Sequence, residues 1–297
     1  MTKDKVSSAM FIVLIAGLIW SFGPLVVRKI DNAELIPWQY SFFRGSTIFL
    51  ILNLYLFVNE GKKFFKNYER VGISGLIGGA CLGVANITFV LSITTTTAAV
   101  TMMMLGAMPF TAAILAYIFL KEKISTTTFI SMLIAAVGVI FISFDSKESG
   151  TLFGLVNGLI SQLAFAGFTV SLRWRKKTPK LTTVSIGGVF AALVSILILF
   201  LNDNSILISL KNTSLSTLHG FLVCSALILY SSKAKYLPAA DLTLLSLTEV
   251  LGGILWVWIP WFGVNEIPSV NTLIGGGIIV SAIVFYGLNA RRFRFRY

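Results

Sequence analysis

The chain has 297 residues, 56% of them hydrophobic and 12% charged, with a mean hydropathy of +0.86. A soluble domain carries about 25% charged residues, so this composition excludes an ordinary soluble fold and points to a polytopic α-helical membrane protein. The net charge of +12 does not indicate a nucleic-acid partner, because the basic residues sit in short gaps between apolar runs, where they act as topology signals.

A helix needs about 20 mostly apolar residues to cross a bilayer, and ten such runs are predicted, in order over 7–27, 37–58, 71–92, 96–120, 126–144, 151–172, 182–201, 215–232, 239–262 and 270–289. The first follows Lys3 and Lys5 as a signal peptide would, but its apolar run continues to Val27 with no convincing small-residue cleavage site, so it is read as a retained span. Arg44 lies about seven residues into the second span. Gly75, Gly79 and Gly83 form a stripe of small residues on the third, as do Gly154 and Gly158 on the sixth. Such stripes let helix backbones approach closely in lipid. Thr94 to Thr97 read as a tight turn between the third and fourth spans. Cys81 and Cys224 fall inside spans and are expected to be free thiols. His219 is the only histidine, which leaves little room for a histidine metal site or a Ser-His-Asp triad. No metal and no cofactor is expected.

Counting Lys and Arg by loop sets the orientation. With the N-terminus inside, 19 of the 24 basic residues fall on the cytoplasmic side. Only Arg28, Lys29, Lys147 and Lys211 lie in outside loops, so both termini are expected in the cytoplasm and the 145–150 connection outside. Trp38, Tyr40, Trp256, Trp258 and Trp261 then fall near the outer interface.

The chain also repeats itself. Gly17-Leu18-Ile19 matches Gly158-Leu159-Ile160, and Ala98-Ala99 matches Ala239-Ala240, both at an offset of 141 residues. With a small gap, Glu122 meets Glu266 and Ser125 meets Ser269. The pattern predicts two five-helix units, 1–145 and 146–297. Because five is odd, the second unit enters the membrane inverted. Such inverted repeats are common in secondary transporters, which hold their substrate near the midplane.

The segment TTTTAAVTMMMLGAMPFTAAILAYIFLKEKIS (94–125) resembles the fourth-helix signature of EamA-type proteins in the drug/metabolite transporter superfamily: a small-residue start, a mid-helix proline and an acidic residue at the helix exit. LPAADLTLLSLTEVLGGILWVWIPWFGVNEIPS (237–269) resembles its second copy. The resemblance implies ten helices, a central cavity lined mainly by helices 1–4 and 6–9, and transport of small metabolites. Where that copy often reads Glu-Pro, Glu249 is followed here by Val250, leaving Gly252-Gly253 as the residues that would soften the helix.

Glu249 lies about ten residues into the ninth span, roughly 15 Å deep. An ionised side chain there costs at least about 2.5–3.5 kcal/mol, so a partner, a proton or a water-filled cavity has to offset it. The Ser246 and Thr248 hydroxyls are near enough in sequence to help hydrate it. Arg44 either pairs with Glu249, binds an anionic substrate group or snorkels to the surface. Trp20, Asn86, Asn157, Gln162, Tyr230 and Ser246 are further candidates for a polar, aromatic cavity. Met102-Met103-Met104 offers a polarizable surface or core filler. With no GxxxxGK[ST] loop, the chain reads as a secondary transporter of small organic metabolites or amino acids, with proton coupling, in the cytoplasmic (inner) membrane, as a monomer or homodimer. The alternatives are an intramembrane enzyme or a channel, for which no catalytic constellation or filter motif is present.

Overall fold

A computed structural model describes residues 3–96, 98–143, 151–175, 177–265, 267 and 269–290. Glu266, Thr97 and the 145–150 connection lie outside the described residues, as does the side chain of Met103. Every regular element among the described residues is helical. The α-helices are α1 (Lys3–Trp20), α2 (Gly23–Arg28), α3 (Pro37–Glu60), α4 (Phe65–Arg70), α5 (Gly72–Thr95), α6 (Ala98–Gly106), α7 (Met108–Leu120), α8 (Thr126–Ser143), α9 (Leu152–Trp174), α10 (Lys180–Leu201), α11 (Leu210–Lys233), α12 (Ala239–Ser246), α13 (Thr248–Trp258) and α14 (Val270–Ala290). Eight stretches are long and apolar enough to cross a membrane, among them Asp4–Arg28, Val100–Leu120 and Ala239–Trp258. The fifth and tenth runs form α8 and α14, whose apolar portions, Thr126–Phe141 and Leu273–Asn289, are shorter. Large apolar side chains such as Phe11, Leu50, Leu54, Ile114 and Phe200 stay exposed around the bundle, as lipid-facing residues do.

Besides Pro37–Arg70, where α3 passes through a 3-10 turn into α4, three of the stretches are broken. α1 gives way to α2 beside Pro24, and α6 to α7 beside Pro109. A proline inside a helix removes a donor and clashes with the carbonyl four residues earlier. The third break, between α12 and α13 at Leu247, has no proline. Instead Ser246 Oγ donates to Thr243 O (2.8 Å) and Thr248 Oγ1 to Leu245 O (3.1 Å), while Val250 N bonds Leu247 O in a tightened turn. Hydroxyls bonding back to the preceding turn bend helices. The break therefore arises ahead of Glu249 rather than at Gly252-Gly253. It also consumes the Ser246 and Thr248 hydroxyls, which hydrate backbone carbonyls and not the Glu249 carboxylate.

Contacts among residues 3–143 and 151–290 come in matched sets. α5 packs on α9 as α1 packs on α11; α5 on α10 as α3 on α11; α6 on α9 as α1 on α12; α7 on α9 as α1 on α13; and α3·α10 and α8·α14 are their own counterparts. The self-matched crossings are built on glycine. A β-carbon on Gly45 of α3 would lie 2.8 Å from Gly188 O of α10, and one on Gly138 of α8 would lie 2.6 Å from Gly275 O of α14. The Gly75, Gly79 and Gly83 stripe faces Thr183, Ile186 and Phe190 of α10, and Gly158 faces Met104 and Ser92.

Since a backbone carbonyl cannot swing aside as a side chain can, Gly45→Ala should act as overpacking and cost about 1–3 kcal/mol. Gly277, with nothing within 4 Å of a built β-carbon, is the control. Thermal unfolding in detergent should show a clear loss of stability for Gly45→Ala and none for Gly277→Ala; equal behaviour of the two would refute the crossing.

Candidate functional site

A cavity of about 50 Å³ lies at the middle of the bundle, where the breaks in α6–α7 and α12–α13 meet. Arg44 (α3), Asn86 (α5), Glu249 (α13), Trp20 (α1), Ser246 (α12) and His219 (α11) all line it. α10 contributes nothing to the lining, since it is spent on the glycine crossing with α3 and the stripe on α5. The seventh helix thus stands outside the ring of helices that the family resemblance implied.

Arg44 is 5% exposed and does not snorkel. Its Nη1 donates to Asn86 O at 3.0 Å, and its guanidinium carbon stands 5.2 Å from the centre of the Phe89 ring, a cation–π contact. Its Nε has no hydrogen-bond partner among the described residues, and neither has Asn86 Nδ2. Gly220 brings these elements together: a β-carbon there would sit 2.7 Å from Arg44 O, so α11 presses onto α3 and carries His219 to the cavity wall. His219 Nδ1 is hydrogen-bonded to the Tyr40 hydroxyl.

Glu249 lies in the first turn of α13, where the helix dipole favours a carboxylate. It forms no ion pair with Arg44 within 4.0 Å among the described residues, although the two charges are within electrostatic reach across the cavity. The helix break therefore has a local consequence: it starts a new helix at mid-bundle with an acid in its first turn. Met108, at the start of α7, is its counterpart on the cavity wall at the same offset of 141.

Three sequence candidates stand elsewhere. Asn157 donates to Phe153 O within its own helix (2.8 Å). Gln162 accepts from Thr111 Oγ1 (2.8 Å) and bolts α9 to α7. Tyr230 is hydrogen-bonded to Thr169 (2.9 Å), its ring packed behind Trp20 at 5.3 Å and Phe165 at 5.6 Å. Toward the opposite end, Phe22 stacks on Trp256 at 4.5 Å and Trp256 Nε1 donates to Ser21 Oγ (2.7 Å). The cavity itself leaves room for a few waters at most.

Sequence reasoning passed over a second polar cluster, at the end of the bundle bearing Lys121 and Lys123. Arg173 meets Glu122 Oε1 at 2.6 Å, with Nη1 donating to Ala234 O (2.6 Å) and also to Leu237 O. Glu122 Oε2 in turn accepts from Ala239 N, at the start of α12 (3.2 Å). Next to it Asp241, 2% exposed, accepts from Thr128 Oγ1 (2.8 Å) and Tyr286 Oη (2.5 Å). The signal was present, since Asp241 stands in the third position of the ninth run. Cys81 and Cys224 are free thiols. No cluster of three or more metal-ligating acids, histidines or cysteines occurs among the described residues.

The Glu122–Arg173 pair joins one half of the chain to the other at side-chain exposures of 15% and 10%. Removing one partner strands a largely buried charge. In a double-mutant cycle of Glu122→Leu and Arg173→Met, each single variant should be destabilised and the pair should couple by about 0.5–3 kcal/mol. Additive effects would show that the pair holds nothing together.

Comparison with known proteins adds two findings. Residues 7–144 match the EamA-like transporter family. A protein crystal structure, 16% identical, superposes with a TM-score of 0.76 over 96% of this chain and 98% of its own; at that identity the likeness is one of fold. No curated protein matches the chain.

Proposed function

We propose, from the match of residues 7–144 to the EamA-like transporter family of the drug/metabolite transporter superfamily, that the chain is a secondary carrier for small organic metabolites or amino acids. The observation that carries the proposal is the central cavity: a guanidinium from the first half and a carboxylate from the second face one space at mid-bundle, and neither is neutralised by an ion pair. A ligand with an acceptor group for Arg44 Nε and Asn86 Nδ2, and a cationic group for Glu249, answers all three at once. The α-carboxylate and α-ammonium of an amino acid are such a pair.

We read the architecture as ten spans in two inverted five-helix units, with α8 and α14 as the fifth and tenth. The matched contact sets support a two-fold relation between the halves, and the family match to the first unit supports its boundary. The basic loops support cytoplasmic termini and residence in the cytoplasmic membrane. The cavity is too small for an amino acid in this closed form, so transport requires the halves to rock and open it to each side in turn. Separating Glu122 from Arg173 is the step that would open the Lys121 end. Glu249 is the group that exchanges a proton during the cycle, because a bare carboxylate at that depth is costly.

Purified protein in liposomes tests the reading with a mixture of labelled amino acids. Wild type should show saturable exchange and accumulation driven by a pH gradient. Arg44→Ala should reach the membrane at normal level yet lose most flux, and Arg44→Lys should recover only part, since an ammonium lacks the guanidinium fork. Glu249→Gln should keep exchange but lose pH-driven accumulation. Normal flux in Arg44→Ala would defeat the site assignment, and unchanged pH dependence in Glu249→Gln would defeat the coupling role.

A further inference from the structure

Two further cavities are lined by neighbouring parts of α5 and α9 and the turn after α9, and neither shares a lining residue with the central site. One, of about 370 Å³, is lined by Arg70, Val71, Gly72, Arg175, Lys177 and Thr178. Its three cations are exposed, no acidic residue lines it, and none of the three side chains makes an ion pair or hydrogen bond among the described residues. The other, of about 500 Å³, is almost wholly apolar and runs between α5, α7 and α9; Ile77, Val84, Phe119, Leu163, Gly167 and Trp174 mark its walls. Small side chains open its α9 wall, with Ala164, Gly167 and Ser171 on one face of that helix.

Their lining residues neighbour each other along the chain on both sides. Trp174 belongs to the apolar one and Arg175, the next residue, to the basic one. On α5, Gly72 precedes Ile77 by five residues, roughly 7.5 Å of helix. Trp174, 41% exposed, sits at the junction, as tryptophans do at the membrane–water boundary.

Each cavity alone suits only part of a ligand. Free phosphate would satisfy the cations and leave the groove empty; a neutral lipid would fill the groove and leave the cations without a counter-charge. We propose that the two form one site for an anionic phospholipid, its phosphate held by Arg70, Arg175 and Lys177 and one acyl chain lying between α5, α7 and α9. Basic pockets between membrane helices recognise headgroups in this way. The site is independent of the central cavity and of whatever that cavity transports.

The test uses the full chain in mild detergent, offered phosphatidylglycerol or phosphatidylcholine with identical acyl chains, with bound lipid counted by native mass spectrometry. Wild type should retain phosphatidylglycerol roughly tenfold over phosphatidylcholine. Arg70→Gln, Arg175→Gln and Lys177→Gln combined should erase that preference. These residues are exposed, so the fold should persist, and Lys62, Lys63, Lys66 and Lys180 remain as topology signals. Ala164→Leu, which fills the groove, should lower retention of both lipids. Equal retention of the two lipids by wild type, or a preference that survives the triple variant, would overturn the proposal. So would complete displacement of phosphatidylglycerol by inorganic phosphate, which would reduce the site to one for free anions.

Discussion

The arrangement depends on how a guanidinium survives in the middle of an apolar bundle. Arg44 has one carbonyl, one aromatic face and a carboxylate across a small cavity, and one of its donors is left unsatisfied. A buried charge so incompletely compensated is expensive. It is tolerated only because the surrounding helices hold it from several sides, with Gly45 and Gly220 letting α10 and α11 close on α3. Under the proposed function, the interaction that this rigid packing leaves unmade is the one a ligand would supply. The Glu122–Arg173 pair is the opposite case: both charges are consumed by each other and by backbone groups.

Arg44, Asn86 and His219 reach the cavity from the unbroken α3, α5 and α11, while the helix breaks bring two new helix starts to its wall. In α6–α7 the break is imposed by Pro109; in α12–α13 it is made by side-chain hydroxyls bonding back to the chain. Both new helix starts, at Met108 and Thr248, lie beside the cavity. In α9, where Phe165 stands at the position equivalent to Pro24, the helix runs unbroken from Leu152 to Trp174 and serves as a wall.

Much of this was legible in the sequence, and the parts that were not share a cause. Hydrophobic runs located the helices, because each segment must be apolar along its length whatever it packs against. The glycine stripe on α5 was legible as packing because its spacing is that of one helix face. Which polar residue faces the cavity depends on helix rotation relative to neighbours, which a single chain's pattern does not encode. Asn157, Gln162 and Tyr230 are as polar as Asn86 and Ser246, yet they turn toward their own backbone or a neighbouring helix. His219 reads in the sequence only as a metal ligand or triad member, and lines the cavity because Gly220 admits α11. The ninth run breaks at Leu247 rather than at the expected Gly252-Gly253, because hydroxyls with no sequence signature as clear as a proline make the break.

The central claim is that the space between Arg44 and Glu249 opens to each side of the membrane in turn. Ala85, on the cavity wall, provides the most direct measurement. With Cys81 and Cys224 replaced by serine, Ala85→Cys is treated with a membrane-impermeant maleimide from either side of sealed right-side-out and inverted vesicles. Alternating access predicts labelling from both sides, slowed on one face when the other is held open by an opposing substrate gradient. Labelling from one side only, under every gradient, would contradict it.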